Sequence, residues 1–334
     1  MSEAVPDPTE TSPSTAIVDR RDRGPVALAF AAGLLLAVQS RINGQLGHVT
    51  GDGILAAAMT LSVGLVTLLV IAVLRPSTRI RLIKNLPTEC RAGRLRWWHL
   101  IGGIGGAMVV ASQALTVPVL GVALYAVLMV AGTTSASLGV DRAGLGPGGV
   151  RPITAPRVIG AVATTLAVAL AISGRLSAAN FAWAAAALVL VAGLSSTLQQ
   201  AVNAMVAQRT GDPLVAGVVN FVGGAAALLL AYLAEHLLGG RAWVFPPAPW
   251  SQPILWLGGP FGVIFIVTAA FAVRTLGVLL FSLLSIAGQL VGSLVSDLAV
   301  PTPGTQVGWQ LVAGIVLTGV AVTYAALASR SATF

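Results

Sequence analysis

Charged residues are scarce in this sequence. Asp, Glu, Lys and Arg make up 9% of its 334 residues, whereas they make up about 25% of a soluble domain. Apolar side chains account for 56%, and the mean hydropathy is +0.89. So few charges could not cover the surface of a soluble protein of this size. The composition therefore predicts an integral membrane protein, with the lipid bilayer as its main partner.

Side chains that bind metals or catalyse reactions are also few. Cys90 is the single cysteine, which excludes an internal disulfide and a cysteine-rich metal site. The three histidines are scattered at 48, 99 and 236, and no predicted helix carries two acids. Enzymes usually gather such groups in one place. We therefore expect no metal, no cofactor and no catalytic residue, and a lipid-modifying membrane enzyme is the least favoured function.

Two kinds of partner are disfavoured on similar grounds. The net charge of +8 and the pI of 11.2 could suggest a nucleic acid. The basic residues, however, lie in loops between apolar segments and offer no basic face to a duplex. No glycine-rich stretch is followed by the Gly-Lys-Ser/Thr of a phosphate loop. We expect neither a nucleic-acid partner nor an ATPase subunit.

Long apolar runs are what the sequence has in abundance. A helix needs about 20 mostly apolar residues to cross a bilayer, and we count ten such segments, so the predicted fold is all-α with ten transmembrane helices. The segments are 25–46, 53–74, 98–117, 119–140, 157–174, 181–201, 213–234, 254–273, 275–296 and 307–328. Residues 1–24, with five acids, three bases and three prolines, predict a disordered cytoplasmic tail.

The distribution of positive charge predicts the orientation. If the N-terminus is cytoplasmic and the segments alternate, 16 Lys and Arg residues fall on the cytoplasmic side and 3 on the other. The loop at 75–96 alone carries seven of them. Positive residues favour cytoplasmic loops. We therefore expect both termini in the cytoplasm.

The sequence also repeats itself. Residues 32–52 match 192–212 at a constant offset of 160, which pairs Gln39 with Gln199 and Asn43 with Asn203. A second stretch, 102–141, matches 258–297 at an offset of 156. The repeats, 25–174 and 175–334, hold five helices each, and because five is odd they must lie in opposite orientations. Inverted repeats with a shared site near mid-depth are typical of secondary transporters.

The repeated motifs resemble a known family. Gly-x5-Gln-x3-Asn occurs at Gly33 and again at Gly193, and Ala287-Gly288-Gln289-Leu290 is followed by Asp297. These motifs resemble the YdcZ-like family of bacterial inner-membrane exporters, within the drug/metabolite transporter (EamA-like) superfamily. The resemblance covers about residues 26–328 as two fused five-helix units. It implies a bacterial-type inner membrane location and export, and it says little about the substrate.

The candidate binding residues are amides within the apolar segments, which tend to face a protein interior or a cavity. Gln39 and Asn43 share a helix face, as do their counterparts Gln199 and Asn203. Each pair could line a cavity or simply join helices. Further candidates are Gln113 and Gln289, which are isolated in helices 3 and 9, Tyr125, which could form a cavity wall or pack in the core, and the corresponding pair Thr60 and Asn220.

Four acidic residues recur in the repeats with different expectations. Asp52 and Asp212 follow Thr-Gly and precede helices 2 and 7, so we predict that they are N-caps. Asp141 and Asp297 end helices 4 and 9, where the helix dipole disfavours a carboxylate. Asp297 is the candidate for proton coupling.

The absence of charge within the segments indicates the type of substrate. A permanently charged solute would need a buried counter-ion, whereas amides and small residues suit a neutral one. We therefore expect a secondary transporter, an exporter by resemblance, of a small neutral or weakly polar organic metabolite or drug. A non-transporting scaffold or sensor is the alternative. The sequence leaves open whether the chain acts as a monomer or a homodimer.

Overall fold

The fold is known from a computed structural model, which describes residues 23–147, 149–150, 152–174, 182–240, 242–301 and 307–331. Nearly all of the predicted tail at 1–24 lies outside the described residues. Ten helices are long and apolar enough to cross a membrane, as predicted. They are α1 (Arg23–Thr50), α2 (Gly53–Leu74), α3 (Trp97–Leu120), α4 (Val122–Arg142), α5 (Ala155–Ser173), α6 (Trp183–Thr210), α7 (Pro213–Leu237), α8 (Gly258–Val278), α9 (Leu280–Ala299) and α10 (Trp309–Ala328). The described residues contain no β-strand.

The two N-caps predicted from the Thr-Gly-Asp motifs are confirmed. The Asp52 carboxylate accepts hydrogen bonds from the backbone N–H groups of Ile54 and Leu55, both at 2.9 Å. Asp212 accepts one from Leu214 N at 2.9 Å, and Pro213 occupies the first turn of α7. Each carboxylate satisfies amides that have no partner within their own helix.

Two glycines make the tight connections within the repeats. Gly121 separates α3 from α4 with φ 78° and ψ 165°. Gly277, next to the last residue of α8, interrupts the helical backbone before α9 with nearly the same geometry, φ 76° and ψ 162°. Glycine adopts such positive φ values readily because it has no Cβ. The long uncharged run around Pro118 therefore holds two helices, as predicted.

The packing on α3 shows that the two repeats are inverted. Gly47, near the end of α1, packs against Ala114 towards the end of α3, where a methyl group built on the glycine would lie 2.2 Å from the Ala114 carbonyl oxygen. Asn203, near the end of α6, instead approaches Gly102 near the start of α3. Because α3 runs through the bundle, α1 and α6 finish at opposite ends. We call these the Asn43 end and the Asn203 end.

The basic loop fits the same arrangement. It folds into three short helical segments, Pro76–Ile80, Arg81–Asn85 and Leu86–Arg91. Thr78 Oγ1 donates to the Asp212 carboxylate at 2.7 Å, and an Arg81 guanidinium nitrogen lies 3.5 Å from the same oxygen. The loop is thereby fixed beside the start of α7, at the Asn203 end.

Helix contacts follow the symmetry of the repeat. α1 packs against α8 and α9, and its counterpart α6 packs against α3 and α4. α5 pairs with α10 through small residues, since Gly160 meets Ala325 and Gly314 meets Ala171. Close approach of this kind is what drives helix association in a bilayer. α4 lies at the centre, with every residue from 122 to 132 buried.

Candidate functional site

The first amide cluster joins α1, α2 and α3 at the Asn43 end. Asn43 Nδ2 donates to Gln113 Oε1 at 2.7 Å, and Gln113 Nε2 donates to Ser40 Oγ at 3.0 Å. Thr60 Oγ1 donates to Asn43 Oδ1 at 2.9 Å. None of these four side chains is more than 6% exposed. For Asn43 and Gln113, these contacts favour the interpretation that they join helices.

The second amide cluster occupies the repeat-related position but is arranged differently. Gln199 Nε2 and Asn203 Nδ2 both donate to Asn220 Oδ1, at 2.9 and 3.2 Å. Asn220 is the counterpart of Thr60, whereas the counterpart of Gln113 is Ala269, which cannot extend the network. Gln199 and Asn203 are half-buried. Within the described part of the chain, no hydrogen-bond donor reaches the carbonyl oxygens of their two amides.

Each cluster faces the start of a helix from the other repeat. A methyl group built on Gly258 would lie 2.3 Å from Asn43 Oδ1, and one built on Gly102 would lie 3.0 Å from Asn203 Oδ1. These glycines belong to the Gly-x3-Gly pairs that begin α8 and α3. The absence of a side chain there allows the amides to approach the backbone of the opposite repeat.

Gln39 differs from the other candidate amides in its surroundings. It lies near the middle of α1 and is 8% exposed. No side-chain hydrogen bond of Gln39 occurs among the described residues. Its Nε2 faces Gly262, 3.1 Å from a methyl group built there, and the ring of Phe221 lies 3.6 Å from the same point. The Gln39 amide atoms are not among the fully buried polar atoms that lack a partner, so water or a ligand can reach them and satisfy their hydrogen bonds.

The counterpart of Gln39 faces the same region from the other repeat. Gln199 Nε2 lies 2.8 Å from a methyl group built on Gly106, and Asn220 Nδ2 lies 3.1 Å from the same point. α7 supplies Asn220 and Phe221 as adjacent residues, so it connects the two glutamine environments. The candidate site is defined by Gln39, Gly262, Phe221, Gln199, Gly106 and Asn220.

Two further predicted residues lie apart from this site. Tyr125 is 1% exposed in the hydrophobic core, and its hydroxyl lies 3.2 Å from Ser112 Oγ, which favours packing over a cavity wall. Gln289 is half-buried on α9, where its backbone packs against Gly33 of α1. No described contact joins Gln289 to either amide cluster. Its role in binding stays a prediction.

The two ends of the bundle differ in how tightly they are closed. At the Asn43 end, α1 packs directly against α3 through Gly44 and Gly47. Within the described ranges, their counterparts α6 and α8 have hardly any contact. In the most apolar stretches of α6 and α8, only 22% and 17% of residues are buried, the lowest values among the ten helices. α1 and α3 are therefore in contact at the Asn43 end, whereas α6 and α8 are apart at the Asn203 end.

Asp297 has a structural role that the sequence did not reveal. Its carboxylate accepts hydrogen bonds from Val122 N at 3.0 Å and Ala123 N at 2.8 Å, the first amides of α4. Arg41 lies 4.0 Å away. Asp297 is 2% exposed. The helix whose dipole it meets is thus α4, 175 residues earlier, and only the fold brings them together. Proton coupling through Asp297 stays a prediction.

Two apolar cavities lie away from the amides. One of about 720 Å³ lies between α9 and α10, and one of about 390 Å³ is lined by α4, α5 and α6. They occupy repeat-related positions, since Ala287 lines the first and its counterpart Ala131 the second. Neither is lined by a candidate amide. Among the described residues no three His, Cys, Asp or Glu side chains are grouped to hold a metal.

Comparison with known proteins covers nearly the whole chain. The model of a family described as "Putative inner membrane exporter, YdcZ" matches residues 24–170 and again residues 184–324. No curated protein matches. A crystal structure with 20% sequence identity aligns over 92% of this chain and 96% of its own, with a TM-score of 0.55. At that identity the likeness concerns the fold alone.

Proposed function

Because the chain belongs to the YdcZ family of inner-membrane exporters, with two copies of the family unit in one multi-pass polypeptide, we propose that it is a secondary transporter. Its substrate is a small neutral or weakly polar organic solute. Transport proceeds by alternating access, in which the two inverted repeats exchange conformations around a shared site. The family points to transport rather than to an enzyme.

The observation that carries this proposal is the position of Gln39. Its side chain lies near the middle of α1, is 8% exposed and makes no side-chain hydrogen bond within the described part of the chain. Gln199 presents a second amide from the inverted repeat, and Phe221 provides an apolar face. The six residues of the candidate site carry no charge. Such a site can bind an uncharged solute without a buried counter-ion.

The asymmetry between the ends supports alternating access. One end of the shared site is closed by α1 and α3, and the other is open between α6 and α8. The basic loop lies at the open end through Thr78 and Arg81. Under the positive-inside rule that end faces the cytoplasm. We therefore assign the structure to a cytoplasm-open state, from which an exporter would load its substrate.

The proposal is tested by ligand binding and flux with one matched pair of variants. Gln39→Leu removes the site amide, and Gln45→Leu makes the same change at an exposed position of α1. A panel of neutral metabolites and drugs is screened for a thermal shift of the purified protein. We expect the screen to find a stabilising ligand. Its affinity should fall about 10-fold or more in Gln39→Leu, because a hydrogen bond to the ligand is lost. Its affinity should be unchanged in Gln45→Leu.

Flux of that ligand into proteoliposomes completes the test. We expect transport by the wild type and by Gln45→Leu, and strongly reduced transport by Gln39→Leu. Measurements with and without a pH gradient show whether protons are coupled. A ligand that stabilises the protein but crosses the membrane under no gradient would contradict transport and favour a sensor.

A further inference from the structure

The contact between α9 and α4 closes one end of the protein. Asp297, at the end of α9, caps the start of α4, and Arg41 of α1 stands beside the carboxylate. The side chain fits tightly against Gly121, since a methyl group built there would lie 2.7 Å from Asp297 Oδ2. One buried carboxylate thus connects α9, α4 and α1 at the Asn43 end.

The repeat-related position has the same residue types, an aspartate and a positive-φ glycine, but the two are not in contact. Asp141 is the counterpart of Asp297, and Gly277 is the counterpart of Gly121 with the same backbone geometry. A methyl group built on Gly277 would meet nothing within 4 Å. Asp141 is instead paired with Arg157 at the start of α5. The backbone geometry that receives Asp297 at Gly121 is therefore also present at Gly277, but the Asp141 carboxylate is paired with Arg157 instead.

We propose that Asp297 and Asp141 are alternating locks. In the present state Asp297 caps α4 and closes the Asn43 end. In the opposite state Asp297 leaves α4, and Asp141 leaves Arg157 to cap the backbone amides that follow Gly277, which closes the Asn203 end. This inference rests on the proposed alternating access and assigns its gating to two named residues.

Differences between the repeats should favour the present state over the opposite one. Arg41 strengthens the lock at the Asn43 end, whereas its counterpart Ala201 has no charge to offer Asp141. Gly44 and Gly47 allow α1 to approach α3 closely, whereas their counterparts Ala204 and Ala207 carry a methyl group. Closure at the Asn203 end therefore brings α6 less close to α8. Arg157 competes with α9 for Asp141.

Distances between spin labels at each end test the locks in the full-length protein without substrate. Cys90 is first replaced by serine. Gln208→Cys with Thr275→Cys reports the α6–α8 gap, and Val49→Cys with Val119→Cys reports the α1–α3 gap; all four positions are exposed. The first pair measures closing of the Asn203 end and the second measures opening of the Asn43 end, each in its own sample.

Replacement of either lock should shift the two populations in opposite directions. Asp297→Ala should shorten the α6–α8 distance and lengthen the α1–α3 distance, with the ratio of the two states changing by roughly 5- to 10-fold, as expected for loss of a cap. Asp297→Asn should restore part of the original distribution, because an amide oxygen can still accept one N–H bond. Asp141→Ala should remove the opposite state.

A purely structural role would give a different result. If both alanine variants only lower the unfolding temperature and leave the distance distributions unchanged, the lock is wrong. If the distances shift as expected but no solute is ever transported, the lock stands and the proposed function fails. Transport that continues with no shift in Asp297→Ala would contradict the lock alone.

Discussion

At the scale of single residues, Asn43 and Asn203 show how one motif acquires two environments. Both occupy the same position in Gly-x5-Gln-x3-Asn. Asn43 is fully buried and bonded to Gln113 and Thr60, whereas Asn203 is half-buried and shares one acceptor with Gln199. The sequence identified these residues as polar groups in apolar helices. The sequence could not show whether each residue lines a cavity or joins helices, because for Asn43 the answer depends on Gln113, 70 residues away.

Thr60→Val tests the helix-joining interpretation of Asn43. The change removes the hydroxyl that donates to Asn43 Oδ1 and leaves a buried acceptor unsatisfied, which costs about 1–3 kcal/mol. Thr67→Val is the matched control on α2, since Thr67 bonds only the carbonyl of Val63 in its own helix. We expect a clear loss of stability in denaturant unfolding for Thr60→Val and little for Thr67→Val. Equal effects would show that the bond to Asn43 contributes nothing.

At the scale of elements, apolar length predicted the existence of each helix better than its end. The segment predicted at 181–201 is in fact part of α6, which continues to Thr210 through a stretch that includes the half-buried Asn203. A prediction from hydropathy ends a segment where polar residues begin. The chain nevertheless stays helical there because it packs against α3 and α7. The same physical reason extends α1 to Thr50. The π-helical turn Arg81–Asn85 had no signal in the sequence.

The two glycine connections give a prediction at the same scale. Gly121→Ala and Gly277→Ala both place a Cβ on a residue whose backbone conformation is essentially restricted to glycine, which costs about 1–3 kcal/mol. Gly121→Ala also pushes the added methyl group against the Asp297 carboxylate, whereas Gly277→Ala meets nothing within 4 Å. We expect Gly121→Ala to be the more destabilising of the two in thermal unfolding. An equal loss would mean that Asp297 does not hold the start of α4.

At the scale of the whole molecule, the central claim is that the second quintet of helices is inserted upside down. α7 provides the internal check, because the basic loop meets its start through Arg81 and Asp212, while Val244 N lies 3.3 Å from the hydroxyl of Tyr232 near its end. The loop at 75–96 and the segment after α7 therefore lie at opposite ends of the bundle. The sequence reached the same topology from positive charge and an odd helix count.

Labelling with a membrane-impermeant maleimide tests this claim most directly. In a Cys90→Ser background, Arg91→Cys and Phe245→Cys each place one thiol at an exposed position. We expect Phe245→Cys to react in intact cells and Arg91→Cys to react only after the membrane is permeabilised. Reaction of both thiols from the same side would contradict the inverted repeat, and with it the shared site and the alternating locks.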